Sequence, residues 1–219
     1  MEVTHTDIKK AIIRSQHCQR NYDLTKTMPE ADIDLIHHAA TQCPSKQNIA
    51  FYKLHFITNR DVIKEIHKNT TGFKVNTTGK TTTNSQVLSN LLVAFELEDT
   101  VERIQLEAKT ARTDELHDLK KGITSDKSNV KMLTRDTEMA MGIAAGYINL
   151  TSSILGYSTG CCVCMNEINV RKIIGAKNEI KLLMGVGFKQ EGVNRRKHPE
   201  SDFIFPTNPK QEINVNFIK

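Results

Sequence analysis

Tryptophan is absent from this 219-residue chain, and aromatic residues make up only 5% of it. An excess of one charge is also missing: Lys plus Arg number 30 against 25 for Asp plus Glu, a formal charge of +5. A nucleic-acid module gathers its basic residues on one face with aromatic or groove-reading partners. Here Lys and Arg are spread along the chain, so no nucleic-acid partner is expected, and the mild positive bias suits an anionic small ligand. Long hydrophobic runs are lacking too. The longest weakly polar stretch, 139–146, is far short of the about 20 residues a membrane helix needs, so no membrane association is expected. The opening MEVTHTDIKK has no apolar signal core. Cysteines are few and odd in number, with three of the five crowded at Cys161, Cys162 and Cys164. That is poor material for a disulfide framework, and a reducing cytoplasmic location is expected. No catalytic triad and no paired carboxylates stand out.

What is present reads as one globular domain over 1–219, with 38% hydrophobic and 25% charged residues. Thr6 can cap a first helix running to about residue 17, with Ile8, Ala11 and Ile12 on one face. Pro29 suits the first turn of a second helix that carries Ile33, Ile36, Ala39 and Ala40 inward and ends at Pro44. Residues 51–57 alternate in hydrophobicity and predict a strand. A short helix follows at 61–68, then a Thr-, Gly- and Lys-rich loop at 69–84. Leu91-Leu92-Val93-Ala94-Phe95 is a continuous apolar run, the pattern of a strand buried on both faces. Residues 100–135 are strongly charged and read as an exposed helical excursion broken near Gly122. A long helix rich in small residues is predicted over 138–155, closed by Gly156. Strands at 161–165 and 182–188 flank a short helix capped by Asn166. One more strand-like segment lies at 213–218. Strands and helices interleave, which predicts an α/β or α+β fold around a single central sheet.

Four places carry chemistry. The segment Arg14 to Tyr22, with Gln16, His17, Cys18 and Arg20, puts polar donors where a helix ends, and Arg offers a planar fork to a phosphate. Pro44-Ser45-Lys46-Gln47-Asn48 sets short polar groups and loop amides just before a strand, where they can read the edge of a heterocycle. Gly160 with the small thiols of 161–164 leaves main-chain amides accessible to a flat ligand. Cys161-x-x-Cys164 also matches a redox or half zinc-site spacing, for which His37, His38 or His198 could be recruited in space. Arg195 and Lys197 share one face of an extended segment. A solvated helix end, a plain turn, small buried thiols and a basic tail are the alternatives that the residues alone leave open.

Taken in order, these segments resemble the nitroreductase family. Arg20-Asn21-Tyr22-Asp23 ahead of the Pro29-led helix resembles its opening "R-S-x-R-x-F" segment. Pro44 to Asn48 resembles its "P-S-x-x-N-x-Q-P-W" loop. The helix over 138–155 with Gly156 looks like the central dimer helix and following "G-L-G". Leu183-Met184-Gly185-Val186-Gly187-Phe188 looks like the "L-G-Y-P" strand, and Arg195 to Lys197 like the closing basic run. The likeness spans roughly residues 8–200. The chain also departs from the pattern: Gln16 stands where Arg is frequent, Cys18 where Ser is, Ala50, Phe51 and Tyr52 where Gln, Pro and Trp are usual, and cysteines fill 161–164 where Gly or Glu is common.

The resemblance implies a mixed sheet flanked by helices and an intertwined homodimer with FMN sites built from both chains. It implies that Arg20, Arg195 and Lys197 hold the FMN phosphate, with Gln16, His17 and Cys18 beside them. It further implies that Pro44, Ser45, Lys46 and Asn48 meet the flavin ring edge, and that main-chain atoms of Val163 and Cys164 face its reactive edge. The implied reaction is NAD(P)H-dependent, ping-pong reduction of a nitroaromatic, quinone or other conjugated acceptor, with the cofactor carrying the chemistry. A dehalogenase, dehydrogenase or flavin-fragmenting enzyme of the same fold, and a flavin- or metal-binding module without turnover, are the alternatives. Residues 100–135 are expected to cover the active site and set substrate choice. The small residues Ala140, Ala144, Ala145, Thr151 and Ser152 are expected to bring two central helices close together.

Overall fold

The computed structural model describes residues 4–74, 79, 81–109, 113–115, 118 and 127–218. Four strands, β1 (Tyr52–Ile57), β2 (Leu91–Leu97), β3 (Ser158–Cys162) and β4 (Ile180–Gly187), form one sheet in the order β1-β2-β4-β3. Every neighbouring pair is antiparallel, so the expected mixed sheet is corrected to an antiparallel one. The register gives the reason. Ile57, the last residue of β1, lies opposite Leu92 near the start of β2. The connection therefore returns to the end of the sheet it left. The helix α3 (Arg60–Lys68) carries the chain out and the segment after it brings the chain back.

Each helix forms where its ends are satisfied and one face is apolar. In α1 (His5–Ser15), Thr4 rather than Thr6 is the cap, accepting from Asp7 N while the Asp7 carboxylate reaches back to Thr4, a reciprocal box that satisfies two free N–H groups. In α2 (Glu30–Thr41), Pro29 stands at the cap, and Ile36 and Ala40 are fully buried. Asn59 caps α3 through the amides of Asp61 and Val62. The described part of the charged excursion contains α4 (Thr100–Lys109), whose Ile104 packs with Phe51 and Leu133; Gly122 lies outside the described residues. The central helix α5 (Lys127–Ile154) starts eleven residues earlier than the small-residue pattern predicts. Asn166 caps α6 (Glu167–Ile174) as expected, accepting from Asn169 N.

The apolar run of β2 is buried on both sides. Leu91, Val93 and Phe95 point into one cluster with Ile36, Ala144, Ile148, Met184 and Val186. Leu92 and Ala94 point into the other, with Ile63, Ile66, Val170 and Leu183. Two helical layers, α2 with α5 and α3 with α6, thus sandwich the sheet. Each such large apolar side chain contributes about 1.5–3 kcal/mol on burial.

On α5 the buried positions include Leu133, Ala140, Ala144, Ile148 and Ser152. The small residues Ala140, Ala144 and Ser152 therefore turn toward the chain's own core, where α2 packs, while Ala145 and Thr151 are half-buried. A different stripe, Met132, Met139, Ile143, Tyr147, Leu150 and Ile154, is exposed. So are Ile8, Ile12 and Ile13 on α1, which packs beside it. The segment 213–218 is exposed and forms no strand among the described residues.

Candidate functional site

The segment after α1 runs across the end of the sheet. Gln19 N donates to Thr159 O at 2.8 Å, and Asp23 N to Phe188 O at 2.9 Å. Between these anchors, Arg20 N donates to Arg195 O at 2.9 Å. Asn21 fixes this register from inside. It is buried, and its amide donates to Asn194 O at 2.8 Å and to Lys197 O at 2.9 Å. The two basic segments singled out in the sequence are thereby joined along their main chains. Gly160 makes the approach possible, because a Cβ there would meet Gln19 O at 2.7 Å and Gln86 Cβ at 2.8 Å.

Beside this junction lies a cavity of about 410 Å³ lined by Gln16, His17, Cys18, Arg20, Arg195, Arg196, Phe205 and the 206–210 segment. Its lining holds three arginines and Lys210 and no carboxylate. The arginines are held in place. Arg20 lies over the Phe205 ring, 4.3 Å from its centroid, and Nη1 donates to Asn84 Oδ1 at 3.3 Å. Arg195 Nη1 donates to Cys18 O at 2.9 Å. Arg196 Nη1 donates to Phe205 O at 3.3 Å. Each guanidinium has five N–H groups, so these bonds orient the forks and leave donors free for an anion. Burial raises the Cys18 thiol above its ordinary value against the nearby Arg20, so it stays protonated and adds no negative charge.

Lys197 is not in that lining. Its ammonium pairs with exposed Asp202 at 3.5 Å. The Pro44–Asn48 loop is absent from the lining as well. Lys46 reaches α5, where Nζ meets Asp136 Oδ2 at 2.7 Å, and this contact holds the Asp136 carboxyl below its ordinary value. Gln47 and Asn48 both have positive φ, 54° and 57°, a conformation that costs of order 1–3 kcal/mol at a non-glycine residue and persists only where the surroundings enforce it. Val163 and Cys164 are exposed, and Cys164 O accepts from Thr71 N at 2.9 Å. Burial pushes the Cys162 thiol up to about 11, opposite to what a reactive thiolate needs, while Cys161 is exposed. All five cysteines are free.

Asn21, Asn84, Arg196 and Phe205 were not legible as site residues. Asn21 and Arg196 had a signal, since each stands in a basic segment; Phe205 comes into place through the turn that follows residue 194, and Asn84 through its bonds to Thr70, Thr71 and Cys164.

The sequence profile described as Nitroreductase family matches residues 13–188. The chain belongs to the nitroreductase family. Solved structures agree on the fold. A nitroreductase family protein from Streptococcus pneumoniae is 16% identical, with 93% of this chain and 96% of that one covered and a TM-score of 0.64. A Staphylococcus epidermidis protein named as an NAD(P)H:FMN oxidoreductase is 18% identical, with 89% and 92% covered and a TM-score of 0.61. A protein of Exiguobacterium sibiricum solved in complex with FMN is 15% identical, with 89% and 92% covered and a TM-score of 0.62. No curated protein matches the sequence. This nitroreductase-family chain is an oxidoreductase of α+β fold, and no helix among its described residues is long and apolar enough to cross a membrane.

Proposed function

We propose that this chain is an FMN-dependent oxidoreductase that takes reducing equivalents from NAD(P)H and passes them to a nitroaromatic, quinone or similarly conjugated acceptor. The observation that carries the reading is the convergence of Arg20 and Arg195 on one cavity without a carboxylate. A phosphate dianion needs charge-assisted donors and no competing anion, and these residues fit that need. The FMN complex of the Exiguobacterium sibiricum protein and the name of the Staphylococcus epidermidis protein support the cofactor and the hydride donor.

Arg20 and Arg195 would hold the phosphate, with Gln16, His17 and Cys18 lining the wall and Arg196 adding positive charge. Lys197 would join them by leaving Asp202, an exposed ion pair that contributes little. Bound FMN would supply two-electron hydride chemistry. Around it the protein's task is to bind, orient and exclude water. Ser45, Asn48 and the main chain at Val163 and Cys164 are proposed for the ring, with Lys46 held beside them by Asp136. The burial and raised thiol of Cys162 support a packing role for it. Residues 100–135 are proposed to cover the site within a single 1–219 domain.

The working unit is proposed to be a homodimer. The exposed apolar stripe of α5 with Ile8, Ile12 and Ile13 of α1 is the face that supports this. Purified protein is expected to be yellow, to contain one FMN per chain, and to oxidise NAD(P)H when a nitroaromatic or quinone is added. Colourless protein that takes up no added FMN would overturn the proposal.

A further inference from the structure

Three segments distant in sequence meet at the hydroxyl of Thr83. His67 comes from the last turn of α3 and His198 from the short hairpin formed by Lys197 and Ile204. Both imidazoles are buried, 4% and 2% exposed. His67 Nε2 lies 2.5 Å and His198 Nε2 3.1 Å from Thr83 Oγ1. The main-chain N–H of Glu200 donates to His198 Nδ1 at 3.1 Å. A neutral imidazole has one N–H and one lone pair, so that bond settles the proton positions. His198 is protonated on Nε2 and donates to Thr83, whose hydroxyl donates in turn to His67 Nε2. Lone pairs therefore stand on His67 Nε2 and His198 Nδ1. The exposed side chain of Glu200 completes the group: one ligand atom from each of His67, His198 and Glu200 lies within 4.8 Å of the other two.

We propose that His67, His198 and Glu200 bind a divalent transition-metal ion, with zinc favoured by the ligands. Two imidazoles, a carboxylate and one water form a tetrahedral set that zinc accepts, at about 2.0–2.2 Å per ligand. Such a set is tighter than the present spacing, and the exposed Glu200 side chain supplies the movement by turning its carboxylate inward. Neither histidine changes tautomer, but the ion takes the lone pair of His67 Nε2 from the Thr83 hydroxyl and that of His198 Nδ1 from the Glu200 N–H. His198 keeps its Nε2–H on Thr83, the kind of outer hydrogen bond that orients a metal-bound ring. Burial holds both imidazoles below their ordinary values, His67 down to about 4, the direction that suits a ligand. The Phe205 ring, 5.9 Å from the His198 ring, shields one side. The bound ion ties α3 to the hairpin that carries Phe205 beneath Arg20.

The site is separate from the thiols that the sequence first suggested for a metal, and the test uses that separation. Tag-free protein as purified is stripped with a chelator and titrated with zinc chloride against a chromophoric competitor. The wild type is expected to bind one zinc per chain. Glu200→Ala, an exposed change checked by circular dichroism, is expected to weaken binding tenfold or more. The double variant Cys161→Ser/Cys164→Ser is expected to bind as the wild type does. The absence of saturable zinc binding, equal affinity in Glu200→Ala, or loss confined to the cysteine variant would each overturn the proposal. None of these readouts depends on FMN, so a failure here is distinct from a failure of the flavin reading.

Discussion

The main-chain N–H of Arg20 donates to the carbonyl of Arg195 at 2.9 Å. Two segments from opposite ends of the chain are therefore locked in register before any ligand arrives, with their guanidinium groups on one cavity. Preorganised donors give up little side-chain freedom on binding. Each charge-assisted contact to phosphate is worth about 1.5–3 kcal/mol. Arg20→Ala and Arg195→Ala are each expected to weaken FMN binding about tenfold or more, read by fluorescence titration of the apoprotein. Unchanged affinity in both variants would remove the phosphate assignment.

Asn21 holds that register from a buried position through two carbonyls. Asn21→Ala leaves Lys197 O without its donor and Asn194 O with only the Lys197 N–H, at a cost of about 1–3 kcal/mol. For a chain of this size each kcal/mol lowers Tm by about 2–4 °C. A calorimetric scan is expected to show that fall together with weaker FMN binding, whereas a surface amide would show neither.

Burial pushes the Cys162 thiol up to about 11, so it stays protonated at neutral pH, and Cys161, although exposed, has no thiolate-stabilising cation assigned to it among the described residues. Substitution of Cys161 or Cys162 by Ser is expected to leave NAD(P)H-driven flavin reduction within a few-fold of wild type. Stopped-flow reduction at neutral pH checks this. Loss of turnover in one variant that still holds FMN would assign chemistry to that thiol.

The stripe of Ile143, Tyr147, Leu150 and Ile154 on α5 is exposed in one chain. Light scattering is expected to give twice the 24.7 kDa chain mass, and Ile143→Asp is expected to lower it toward one chain by placing a charge in an apolar contact. A wild-type mass of one chain would rule out the homodimer.

Glu96 is buried on β2, where His55 Nε2 lies 2.7 Å from Oε2 and the amides of Lys177 and Asn178 donate to Oε1 at 2.9 and 2.8 Å. Burial opposes its ionisation, but the amide and histidine hydrogen bonds outweigh it and hold the carboxyl below its ordinary 4.5. A depressed folded-state pKa stabilises above the unfolded value, and that contribution disappears as pH falls through the folded value. Thermal unfolding is expected to show Tm dropping below about pH 4.5, and Glu96→Gln is expected to flatten that part of the profile. An unaltered acid limb in Glu96→Gln would show that this carboxylate is not responsible.

Most elements were legible because their causes are local. The unbroken apolar run at Leu91 to Phe95 is a strand with a core on each side, as that pattern requires. Asn166 caps its helix through a bond to a residue three positions on, and Gly156 ends the long helix with φ of 94°, which a residue without Cβ adopts freely. The basic segments at Arg20 and Arg195 were legible as candidate anion donors because guanidinium chemistry does not depend on the fold, and they line one cavity.

Partner choice was decided only in space. Strand direction depends on where a connection re-enters the sheet, and the register of Ile57 with Leu92 made the sheet antiparallel. Lys46 found Asp136, Lys197 found Asp202, and Ala140, Ala144 and Ser152 of α5 turned inward. His67 and His198 show no sequence spacing at all, yet they share one hydroxyl. Periodicity along a chain fixes which face a side chain occupies, whereas the side chain across from it is set by how the faces close on one another.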